Sequence, residues 1–183
     1  MKKFSMKAFA AVLFTVAAFV FAGCDKLPSA DKIENVSKTI GYAAGLTCDL
    51  AKMSDKARTV TLEVMDIVDD VVPLTNQTFT AAWTPVIEET VAKFVNEGKI
   101  TSGEGAIVKT AMGAVTQGLD YVFEVRWPKA KDYKELVSAA VRGFTEGFKT
   151  VIKPVNMKAA ANFDYDEEEF KKAQEWFKAN PRK

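Results

Sequence analysis

The sequence predicts an all-α fold, a compact bundle of about five to six helices behind a cleavable N-terminal segment. Three observations carry that expectation. Apolar residues recur at three- and four-residue steps, and no stretch between residues 24 and 183 alternates cleanly with period two. Prolines, glycines and capping residues cut the chain into helix-sized pieces. The roughly 160 residues behind the N-terminal segment suit one domain, 30–183, with a single core.

The N-terminal segment comes first. Lys2, Lys3 and Lys7 make it positive, no acid precedes Asp25, and Ala8 to Ala22 is apolar except for Thr15. Fifteen apolar residues are short of the roughly 20 that a spanning helix needs. A charged start, an apolar run and small residues at its end are the parts of a secretory signal. Here the small residues lead straight into a cysteine, and Phe21-Ala22-Gly23-Cys24 resembles the lipobox of bacterial lipoproteins. Phe21 stands where that pattern usually carries an aliphatic residue. The resemblance covers residues 1–24 only, and no family resemblance extends into the rest of the chain. It implies cleavage after Gly23, a diacylglyceryl group on the Cys24 thiol and an acyl chain such as palmitate on the new amino terminus. The protein would then sit on the outer or periplasmic face of a bacterial cell membrane, and Asp25 resembles the residue that retains lipoproteins in the inner membrane of enteric bacteria. An ordinary cleaved signal and an uncleaved anchor are the competing readings.

Residues 24–29 form a short polar tether with Pro28. Ser29 or Asp31 can cap a first helix running to about Lys52, with Ile33, Val36, Ile40, Ala43, Thr47 and Leu50 on one face. Ser54 or Asp55 begins a second helix ended by Pro73, broadly apolar, with the acids Glu63, Asp66 and Asp70 on a narrow stripe. Thr84-Pro85 reads as the start of a third and Gly98 as its stop. Thr101-Ser102-Gly103-Glu104 fits a capping box opening a fourth helix to about Val125, broken by Trp127-Pro128. Asp132 can cap a fifth, to about Lys153 before Pro154. Asp164 or Asp166 opens the last, with Phe170, Ala173 and Phe177 as its stripe and Trp176 beside it. A weak echo crosses three helices: Gly41-x-x-x-Gly45-Leu46, Ala114-x-x-x-Gly118-Leu119 and Gly143-x-x-x-Gly147-Phe148. It points to close helix approach, with ancient duplication as the alternative.

The composition excludes more than it assigns. There is no histidine, which removes Ser-His-Asp and Cys-His catalysis, histidine metal sites and histidine pH sensing. Loss of residues 1–23 takes three of the 25 basic residues and none of the 24 acidic ones, leaving a charge of −2. Such a domain carries no electrostatic footprint for nucleic acid. Cys48 has no mate once Cys24 is acylated and reads as a small buried hydrophobe or a reactive thiol.

Four candidate sites remain. Glu63, Asp66, Asp69 and Asp70 could approach a divalent cation but lack loop spacing, so they read as a solvated face, and no metal or cofactor is expected. A carboxylate pair for envelope hydrolysis would need two of the 24 acids, and spacing selects none. Val71 to Ile87 is uncharged, and Phe79 with Trp83 lie one turn apart, as core or as a partner or ligand surface. Arg126, Trp127, Lys129 and Lys131 join an aromatic to cations in a loop, which could touch lipid headgroups or serve as a hinge. The reading is a non-catalytic, lipid-anchored envelope protein with an interaction or structural role and a protein partner in the envelope. A lipid-anchored small-molecule binder is the alternative, and an envelope hydrolase the weakest.

Overall fold

The computed structural model describes residues 27–48, 52–71, 73, 77–153 and 165–180. The segment read as a signal (residues 1–23), Cys24, the expected tether up to Lys26, and Leu50, Pro154, Asp164 and Pro181 lie outside them. Every element among the described residues is helical: α1 (Ala30–Leu46), α2 (Asp55–Asp69), α3 (Phe79–Asn96), α4 (Ser102–Asp120), α5 (Lys134–Ile152) and α6 (Glu167–Ala179). A π-helical turn, Tyr121–Arg126, extends α4, and a 3-10 turn, Pro128–Asp132, leads into α5.

Several ends follow the local code. Ser29 accepts from the Lys32 N–H and Ser54 from the Ala57 N–H. Thr101 and Glu104 form a reciprocal capping box, and Asp166 accepts from the N–H groups of Glu168 and Glu169. Gly98 takes a left-handed φ of 71° after α3, and the Lys99 N–H closes back on the Phe94 carbonyl, as helix-ending glycines do.

Three boundaries differ from the sequence expectation. α1 stops at Leu46 rather than near Lys52, because the Thr47 hydroxyl and N–H both return to the Ala44 carbonyl and tighten the last turn. α3 starts at Phe79, so Pro85 lies inside it. The true start is held by Thr78, whose hydroxyl accepts from Ala81 N, and by Asp120 of α4, whose carboxylate accepts from the N–H of Phe79 (2.6 Å) and from the N–H and hydroxyl of Thr80. Asp132 does not cap α5; it closes the 3-10 turn, and Tyr133 precedes the helix without a side-chain cap.

Two of the three copies of the glycine echo, on α1 and α5, face each other. A Cβ on Gly41 would lie 2.1 Å from the Phe144 carbonyl oxygen, one on Gly143 2.1 Å from that of Glu34, and one on Gly147 1.9 Å from that of Lys38. α1 and α5 therefore touch backbone to backbone. Pairing rises together along both helices, Glu34 with Arg142 and Lys38 with Glu146, so the two run parallel. α3 and α4 form an antiparallel hairpin about Gly98, with Gly105 of α4 facing Val91 and Val95 of α3. One apolar core runs through all six helices, with Ile33, Met65, Phe79, Trp83, Met112, Phe144 and Phe148 among its largest buried side chains. Fully burying a side chain of this size contributes about 1.5–3 kcal/mol.

Candidate functional site

α2 runs back along α5 from its C-terminal end: Arg58, near the start of α2, donates to the Lys153 carbonyl, and Asp66, near its end, meets Lys149 at 2.6 Å. The chain leaving α2 then lies along α5 and leaves an open groove of about 480 Å³. Val71, Pro73, Val137 and Val141 give it apolar walls; Asp69, Ser138, Thr145, Arg142, Glu146 and Lys149 supply polar groups. Three of the charged groups are committed elsewhere, Arg142 to Glu34, Glu146 to Lys38 and Lys149 to Asp66.

Asp69 differs from them. Its Oδ1 is buried and has no hydrogen-bond partner among the described residues. Burial pushes its carboxyl up to about 6, with Asp66 and Asp70 adding to the rise and Lys149 opposing it. A carboxyl titrating near neutrality can donate a hydrogen bond when protonated and accept one, or pair with a cation, when ionised. With the Ser138 and Thr145 hydroxyls alongside, the groove can hold a small polar molecule with an apolar flank.

Phe79 and Trp83, taken from the sequence as core or as a partner or ligand surface, have their side chains in the core. They meet edge to face at 5.2 Å, and Phe79 stacks on Phe123. Trp83 still bears on the groove from behind, since its indole N–H donates to the Val71 carbonyl at 2.6 Å and so fixes one wall. Arg126 is not free to meet headgroups. Its guanidinium grips the buried carboxylate of Glu169 through both oxygens, pinning α6 to the π-helical turn. Trp127 is half-buried beside it, Lys129 is exposed and Lys131 half-buried. Cys48 is half-buried rather than buried, its thiol reaching the Ala44 carbonyl at 3.8 Å.

Of the acidic stripe, Asp66 pairs with Lys149 and Asp69 turns to the groove, while Glu63 and Asp70 are exposed. Among the described residues no group of acids and cysteines is placed to hold a metal ion, and no helix is long and apolar enough to cross a membrane. Sequence reasoning missed Ser138, Val141, Arg142 and Thr145. Their three- and four-residue spacing marks one face of α5, but nothing local says that the chain after α2 lies against it. Comparison with protein-family models, curated proteins and solved structures finds no match.

Proposed function

We propose that this chain is a lipid-anchored protein of the bacterial cell envelope whose helical bundle acts by binding a protein partner, without catalysis. One observation carries the reading: the apolar run ends in Phe21-Ala22-Gly23-Cys24, and α1 is capped only five residues later, at Ser29. The acylated Cys24 is the membrane attachment, and the bundle stands on the outer or periplasmic side. Cys24→Ser tests it. The variant should accumulate as uncut precursor and fail to incorporate labelled palmitate; processing at the wild-type rate would overturn the reading. Crosslinking in the native envelope, followed by identification of the captured protein, tests the binding role.

The groove at Asp69 favours a second reading, a lipid-anchored binder of a small polar molecule. The two separate on Asp69→Asn: loss of a soluble ligand supports the groove, and unchanged capture of the envelope partner supports the first reading.

A further inference from the structure

The parallel pairing of α1 with α5 puts the N-termini of both helices at one end of the bundle. The π-helical and 3-10 turns lie at the same end, because they lead directly into α5. This end exposes large apolar side chains among charged ones. Leu27 is 38% exposed, Val125 55% and Tyr133 50%, three of the six large hydrophobic side chains exposed among the described residues. Of the other three, Leu46 closes α1 at the opposite end, Ile67 lies on α2, and Tyr165, just ahead of α6, stacks on Tyr42 of α1. Half-buried Trp127 sits between Val125 and Tyr133 in the chain, and Lys129, Lys131 and Lys134 interleave with them. Glu124, Asp132 and Glu135 balance those lysines, so this is no basic patch. Aromatic and aliphatic side chains fringed by lysine suit the boundary between headgroups and acyl chains.

The chain ahead of Leu27 says what covers this end. Cys24 stands three peptide steps before Leu27, a reach of at most about 11 Å, and the apolar run ends at Ala22. A membrane attachment at Cys24 holds this end of the bundle at the bilayer and keeps the opposite end from reaching it first. We infer that Leu27, Val125, Trp127 and Tyr133 form a membrane-resting face, seated on the phospholipid headgroup boundary and fixing the bundle upright on its anchor. The inference rests on attachment through the N-terminal segment and adds to it the contacting residues and the orientation.

The test uses the full-length protein, processed in bacterial cells, purified and reconstituted in phosphatidylethanolamine–phosphatidylglycerol vesicles with lipids brominated near the headgroup. Bromine quenches indole fluorescence at short range. Trp83 is buried, and Trp176 packs against Tyr121 and Phe177, so the lipid-dependent quenching should belong to Trp127 and be largely lost in Trp127→Phe. Val125 and Tyr133 are exposed, so Val125→Glu with Tyr133→Glu should keep the helical circular dichroism and the flotation with vesicles, while quenching falls by about half or more. Flotation without quenching, or quenching equal in wild type and Trp127→Phe, leaves the anchor standing and overturns the face. A wild-type protein that does not float overturns the attachment, and the face with it.

Discussion

Asp69 is the residue whose environment most opposes its charge. It closes α2, where the helix dipole is negative, beside Asp66 and Asp70, and burial lifts its carboxyl to about 6. An ordinary unfolded carboxyl titrates near 3.9, so the native state holds this proton more tightly than the unfolded one. That preference stabilises the fold fully below the unfolded value and is lost as pH rises through about 6. Asp69→Asn keeps the shape and removes the charge. At pH 7.5 it should stabilise by about 1–2 kcal/mol, a figure reduced from the full linkage value because the side chain is only part-buried. At pH 4 the gain should vanish. Urea denaturation of both proteins at the two pH values checks this, and an equal difference at both would contradict it. Asp69 was legible as one acid of a stripe. Its separation from Asp66 was not, because the two lie three residues apart and only the placement of α5 tells them apart.

At the scale of elements, the helices were legible because their caps are local. Ser29, Ser54, Thr101 and Asp166 each bind an N–H two or three residues on. The start of α3 was not, because much of its cap is Asp120, forty-one residues from Phe79. Removing that carboxylate in Asp120→Ala strands two backbone donors at a helix N-terminus and should cost about 1–3 kcal/mol in thermal unfolding. The glycine spacing signalled close approach but not which helices meet. At Gly147 the added methyl of alanine would collide with the Lys38 carbonyl and the Tyr42 N–H nitrogen, both main-chain atoms. Gly147→Ala must therefore push α1 and α5 apart and should cost about 3 kcal/mol or more, beyond ordinary overpacking. Gly103, in α4, has open space around its Cβ position apart from the Thr101 hydroxyl 4.0 Å away. Gly103→Ala should stabilise by about 0.5–1 kcal/mol. Both substitutions raise helix propensity, so opposite signs in one denaturation series isolate the backbone contact as the cause.

For the whole molecule, the parallel α1–α5 pair decides which end is which. α4 runs the length of the bundle, and its nineteen residues span about 28 Å. Its first turn, with Gly103, lies by the C-termini of α1 and α5, since Ser54 bonds Glu104 and Arg58, one turn further on, reaches Lys153. The 3-10 turn carrying Asp132 lies at the end where the chain enters from Leu27. A bundle seated on that end holds Gly103 far from the bilayer and Asp132 against it. Fluorophores on Gly103→Cys and Asp132→Cys, in a Cys48→Ala background with Cys24 acylated, should read this by energy transfer to an acceptor in the lipid. The expected heights are about 30–40 Å for residue 103 and about 10–15 Å for residue 132, from helix rise and the reach of the tether. Equal transfer from the two sites would mean that the bundle lies on its side. The Asp69 groove lies on the flank between α2 and α5, so an upright bundle, read as unequal transfer, would leave it open to a soluble ligand on the membrane.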